Sequence, residues 1–292
     1  MKVATTAIEV VHNKEANAEK IAELAVTAAG EGAELVVFPE AALQGYMYGI
    51  NHEMTSEELR YHYQGAEPLD GPTVTSLASV AANHGIHLIF GMVELAGAVL
   101  YDTAVLCMPN GEVKGFRKVH RGGSELHLFE AGTHVGPVKT AVGQLGIGIC
   151  YDMCFPEIAR MQALQGAEIL VYPNAWPCPP DANEDDPRLM PFMMFPRARA
   201  WENQCYVVTS NVVGMADVGG VEYYGNSRII DPLGRVLANT GRKECIVCAD
   251  IEVKEGILQA RTGEFFGYNI LKDRRPDVYS GIDRPYPFEP ES

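Results

Sequence analysis

The chain alternates short, almost wholly apolar runs with longer stretches in which apolar residues recur at helical spacing. MKVATTAIEV reads as an opening strand. A helix from Lys14 to Ala29 follows a cap at Asn13, with Ile21, Leu24, Ala25 and Ala28 on one face. A tight glycine turn then leads into GAELVVFPEA, residues 32–41, whose brief apolar run is that of a buried strand. The same order returns later as a helix from Pro156 to Gln165, a turn, and GAEILVYPNA, residues 166–175. Six of the ten positions in these two segments are identical, which marks an internal repeat.

The echo extends downstream, where IHLIFGMVEL matches QCYVVTSNVV in position and the turns PNGEV and DPLGRV read as hairpin connections. A half whose sheet carries helices on one face must bury the other face. Packing sheet on sheet does this, so the expected fold is an α/β, four-layer α-β-β-α sandwich built from two pseudo-repeated halves. No linker separates the halves, which makes residues 1–270 one domain. Residues 271–292 are proline-rich, with few helix signals, and read as an extended tail that frays or packs at a subunit interface. The stretch from Cys178 to Pro187, rich in Pro, Asp and Asn, reads as a mobile surface loop.

Composition narrows the function. A formal charge of -15 opposes a phosphate-binding surface, so nucleic-acid partners are discounted. The N-terminus lacks the pattern of a secretory signal and no apolar run is long enough to span a bilayer, so the expectation is a cytoplasmic protein without a membrane partner. Seven cysteines, an odd number, fit reduced thiols better than a disulfide framework. Cys245 and Cys248 have CxxC spacing, but they lie in a strand, where residues three apart face opposite ways, so no metal site is expected.

Three residues could carry chemistry. Cys150 ends the run LGIGIC at a strand-to-helix turn, where free N–H groups and a helix dipole favour a thiolate and a developing oxyanion. Glu40 closes LVVFPE at the place held by Asn174 in the second copy. Partial burial there suits a carboxyl to act as general base and later as general acid. Lys118, in FRKVH, follows another strand and can pair with that carboxylate and stabilise a negative oxygen. All three lie at strand ends, which in α/β folds commonly border a ligand crevice. The plainer readings are a buried structural cysteine, a charged residue at a strand end and a solvated surface lysine.

FPE around Glu40, FRKVH around Lys118, GICYDMCFPE around Cys150, RARAWENQ at 197–204 and the late RRPDVY together resemble the nitrilase superfamily, whose signature is a Glu-Lys-Cys triad in this order. The resemblance implies the α-β-β-α fold, assembly into homodimers or larger homo-oligomers, and thioester chemistry needing no metal or organic cofactor. It makes Glu125, spaced with Phe129 and Gly132 as in the family, a substrate-orienting or water-assisting residue. The backbone N–H of Tyr151 becomes an oxyanion donor alongside Lys118.

Tyr151-Asp152 after the cysteine resembles amidases, including those acting on α-keto acid ω-amides, whereas true nitrilases typically have Trp-Glu. Cys154 stands where many of those amidases have Arg, and N-carbamoyl compounds and nitriles stay open as substrates. The expected partner is a small-molecule amide. Tyr46, Asn174 and Trp176 are the expected pocket residues, with Met190 to Phe195 as further candidates. Asp152 is read as a helix cap and His120 as a supporting or surface residue. The rival from another class is a catalytically silent binding subunit of the same fold, and acyl transfer to an amine is the chemically adjacent activity.

Overall fold

In this computed structural model every residue is described except positions 50, 180, 184, 264–266 and 285–292. Asn13 caps the first helix, its side chain accepting from the Ala16 amide at 3.0 Å; such a cap stabilises by about 1 kcal/mol. The first half runs β1 (Lys2–Ile8), α1 (Lys14–Gly30), β2 (Leu35–Val37), α2 (Ser56–Gly65), α3 (Pro72–His84), β3 (His87–Ala96), β4 (Val99–Cys107), β5 (Val113–Arg117) and α4 (Glu125–Leu128). The second runs β6 (Val138–Thr140), β7 (Gly143–Ile147), α5 (Pro156–Leu164), β8 (Ile169–Asn174), α6 (Met190–Asn203), β9 (Tyr206–Met215), β10 (Glu222–Tyr224), β11 (Arg228–Ile230), β12 (Val236–Asn239), β13 (Cys245–Asp250) and α7 (Val253–Thr262).

Strands β5-β4-β3-β2-β1 lie side by side, and β13 joins antiparallel to β1. Strands β6-β7-β8-β9 form the second series, extended by β10, β11 and β12. The two series touch where Ala7 and Ile8 of β1 pair with Asn211 and Val212 of β9. PNGEV and DPLGRV do connect antiparallel pairs, β4 with β5 and β11 with β12.

Strand alternation divides the core into three apolar clusters. Val36, Phe38, Leu88 and Phe90 pack on Ile21, Ala25, Leu77 and Ala81 of α1 and α3. Val3, Leu35, Val37 and Ile89 from one series meet Leu145, Ile147, Val171 and Val208 from the other. Leu170, Tyr172 and Val207 pack on Ala159, Phe192 and Ala200 of α5 and α6. Helix-to-sheet, sheet-to-sheet and sheet-to-helix contacts in that order are the four layers of an α-β-β-α sandwich.

Two local expectations differ from what is seen. Cys178 and Ala182, in the expected surface loop, are buried in the cluster under α5 and α6, because small apolar side chains find room there. The C-terminal stretch is turned rather than uniformly extended: Gln204 Nε2 donates to the Tyr268 carbonyl at 2.9 Å, the Ile270 amide donates back to Gln204 Oε1 at 3.1 Å, and a 3-10 turn spans Pro276–Val278. The remainder of the predicted tail, 285–292, lies outside the described residues. Among the described residues no helix is long and apolar enough to cross a membrane.

Candidate active site

Glu40, Lys118 and Cys150 each lie just beyond the end of a strand, β2, β5 and β7 respectively. Glu40 is fully buried, with Oε1 2.6 Å from Lys118 Nζ and Oε2 accepting from the Ala175 amide at 2.7 Å. Donors at both oxygens suit an ionised, acceptor-only carboxylate. Lys118 Nζ also donates to Glu125 Oε1 and lies 3.4 Å from Asp102 Oδ2. Burial opposes the charge on Lys118, but the adjacent Glu40 and Glu125 outweigh it and hold the ammonium well above the ordinary lysine range. Removing one member of such a buried ion cluster typically costs about 3–5 kcal/mol.

Glycines allow this convergence. A Cβ on Gly91 of β3 would lie 2.3 Å from the Ala41 amide and 2.5 Å from Glu40 Cα, so only glycine lets the Glu40 backbone cross here. A Cβ on Gly132 would lie 2.2 Å from the Arg117 carbonyl, beside Lys118. Ala41 and Cys150 both adopt left-handed backbone, with φ of 48° and 44°. Such conformations cost a non-glycine residue about 1–2 kcal/mol and cluster at functional sites.

Cys150 opens a 3-10 turn, Cys150–Cys154, and α5 begins only at Pro156. This corrects the expectation of a thiolate favoured by a helix dipole, because one short turn has little dipole. Burial, then the nearby charge of Glu40, push the Cys150 thiol well above its ordinary value, with Lys118 and the Ala175 amide pulling less strongly the other way. The resting sulfur is therefore a thiol next to a carboxylate.

Asp152, read from sequence as a helix cap, does cap the 3-10 turn at its Ile149 end and also binds two distant segments together. Its buried carboxylate accepts from the Ile149 amide at 3.1 Å, the His120 amide at 2.8 Å and the Val119 amide at 3.3 Å. The chain just after Lys118 is thereby tied to the turn that carries Cys150. His120 Nδ1 lies 2.9 Å from the same carboxylate, and its ring stacks on Phe155 with centroids 3.6 Å apart.

A cavity of about 340 Å³ opens onto Lys118, Glu125 and Cys150, with Tyr46, Tyr151 and Trp176 among its walls. Tyr46 donates its O–H to Glu125 Oε1, and the Gly122 amide donates to Glu125 Oε2 at 2.8 Å. Tyr151 is the second residue of the 3-10 turn, where an N–H has no partner within the turn. Trp176 stacks on Phe192 of α6 with centroids 5.6 Å apart.

Asn174, expected in the pocket, is not on the cavity wall. It is fully buried, and its Nδ2 donates to the Tyr172 carbonyl at 2.5 Å. Its backbone carbonyl serves the site by accepting from the Glu40 amide at 3.3 Å. Phe192 is likewise core, as an aromatic on the inner face of a helix usually is. Asp102, the Ala175 amide and Gly91 went unrecognised in the sequence. Only Asp102 left a signal there, an acid in the strand-like run LYDTAVLC.

The carbon-nitrogen hydrolase family model matches residues 2–258. The chain belongs to the carbon-nitrogen hydrolase family. It is 32% identical to a 2-oxoglutaramate amidase of Bacillus subtilis over 277 residues, 93% of this chain and 96% of that one. It is 29% identical to an omega-amidase of Danio rerio over 290 residues, covering 96% of each. A carbon-nitrogen hydrolase crystal structure from Helicobacter pylori superposes with a TM-score of 0.84 at 25% identity, covering 98% of both chains.

Proposed function

We propose that this chain is an amidase that hydrolyses a small linear amide through a thioester on Cys150. Glu40 takes the thiol proton as the sulfur attacks the amide carbonyl carbon. Lys118 and the Tyr151 N–H hold the resulting oxyanion. The C–N bond breaks as Glu40 passes the proton to nitrogen, and ammonia leaves. Water, losing a proton to Glu40, then attacks the thioester; the acid is released and Cys150 regains its proton. Glu125, tethered by Tyr46 and Lys118, orients the amide and the water.

The observation that carries this reading is Lys118 bridging Glu40 and Glu125 at the wall of the cavity that also contains Cys150. The raised thiol adds a reason for a base, because attack then requires proton removal in the same step. Tyr151-Asp152 after the cysteine supports amides over nitriles, and the relatives include nitrilases as well as amidases of similar identity.

The test is ammonia release from panels of ω-amides of dicarboxylic acids, other linear amides, N-carbamoyl amino acids and nitriles. Amide turnover that falls by more than about 10⁴-fold in Cys150→Ala is expected. Turnover of nitriles alone would sink the amidase reading, and turnover of nothing would favour a silent binding subunit. We also propose a homo-oligomer: α5 and α6 expose Met161, Leu164 and Met194, an apolar face that supports association. Sedimentation at a monomer's rate would count against it.

A further inference from the structure

Asp102 lies within β4, with its side chain buried to 2% exposure. Carboxylate oxygens of Glu40, Asp102 and Glu125 all lie within 4.8 Å of one another. The cation among them is Lys118, which donates to Glu40 and to Glu125 but only approaches Asp102, at 3.4 Å. An ammonium at the centre of the three acids makes this a lysine-neutralised cluster rather than a cation site. Among the described residues neither Asp102 oxygen accepts a hydrogen bond.

Three ionised carboxylates around one ammonium would leave two uncompensated charges in the interior. The acid that lacks donors is the one that takes up a proton. Burial, then the charge of Glu40, push the Asp102 carboxyl well above the usual carboxylate range, and the same pair lies within hydrogen-bonding reach. The charged groups facing Asp102 are Glu40, Lys118 and Glu125, with Tyr46 and Cys150 beyond them around Lys118 and Glu40. On the other side of β4, Thr103 bonds to Glu94, which pairs with Arg117, and that group is already satisfied.

We propose that Asp102 is a positioning residue: as a neutral acid it donates its O–H to the Glu40 carboxylate and fixes that base for proton exchange with Cys150. Glu40 then holds three donors, Asp102, Lys118 and the Ala175 amide, and its remaining freedom is toward the sulfur. The catalytic consequence rests on the amidase reading above, whereas the protonation of Asp102 does not.

Infrared spectra of the resting protein test the protonation directly. Wild type is expected to show the carbonyl stretch of a protonated carboxyl group, shifted by ¹³C-aspartate and lost in Asp102→Asn. No such band overturns the proposal. In the kinetic arm, Asp102→Leu, which has no donor, lowers kcat about 100-fold with KM within about twofold, and Asp102→Asn, whose amide keeps a donor, recovers to within about threefold of wild type. Equal loss in both variants, or no loss in Asp102→Leu, also overturns it.

If no amide is turned over, the function above fails, and the rate of iodoacetamide labelling at Cys150, read by mass spectrometry of its peptide, replaces kcat. The same order of variants is then expected, and its absence overturns the role of Asp102 alone.

Discussion

At the ends of β2 and β8 the same ten-residue pattern meets itself across the molecule. The Glu40 amide donates to the Asn174 carbonyl at 3.3 Å, and Glu40 Oε2 accepts from the Ala175 amide at 2.7 Å. The first copy supplies a carboxylate and left-handed backbone at Ala41; the second supplies peptide groups that hold that carboxylate, while its asparagine side chain binds its own strand. The β3 strand that follows the first copy has Gly91 against Glu40, whereas the matching place in β9, set by the pairing of Leu35 with His87 and of Ile169 with Tyr206, is Ser210, whose hydroxyl donates to the Thr6 carbonyl. A repeat can thus keep its architecture in both copies while one difference in side chain assigns the chemistry to one of them.

That division can be broken. Making the first copy like the second with Glu40→Asn should lower kcat/KM by about 10³–10⁴-fold, because it removes the general base. Adding Asn174→Glu in the same chain should not restore ammonia release, since the second strand end turns its side chain away from the cavity. Asn174→Asp alone places a carboxylate against the Tyr172 and Ser210 carbonyls that now accept from the amide. A loss of roughly 3 kcal/mol in urea denaturation is expected.

Gly91→Ala should cost about 1–3 kcal/mol in stability from overpacking, and about 100-fold in kcat from displacement of Glu40. Unchanged kcat would mean that the Glu40 backbone tolerates the shift. The smallest effect sharpens the contrast: Ala41→Gly relieves left-handed strain and should leave stability unchanged or raised by up to about 1 kcal/mol. Ala175→Gly should lower it by about 0.5–1 kcal/mol, because Ala175 has no such strain to relieve. Paired denaturation curves with the opposite order would remove the argument from backbone strain.

Periodicity and punctuation made much of the fold legible. Asn13 capping α1, the two copies ending at β2 and β8, and the hairpins at PNGEV and DPLGRV are all local patterns that survive packing. The three strand-end residues were legible for a similar reason, as polar groups placed where apolar runs stop. Asp102 was not singled out, because an acid inside a strand says nothing of its neighbours until β4 lies beside Glu40 and Lys118. Asn174 was misread because repeat symmetry equates positions, whereas the direction of a side chain depends on the strand beside it.

By itself the sequence determined the two-half architecture, the helix and strand boundaries near the motifs, and the identity of the groups able to take protons or attack carbon. Those properties depend on side-chain chemistry and on spacing of a few residues. Tertiary structure alone decided that the Cys150 sulfur rests as a thiol, that Asp152 ties the Lys118 segment to the cysteine turn, and that one ammonium donates to two acids with a third beside it. Charge and hydrogen bonding within a few ångströms set these outcomes, and the partners come from strands as far apart as Glu40 and Ala175.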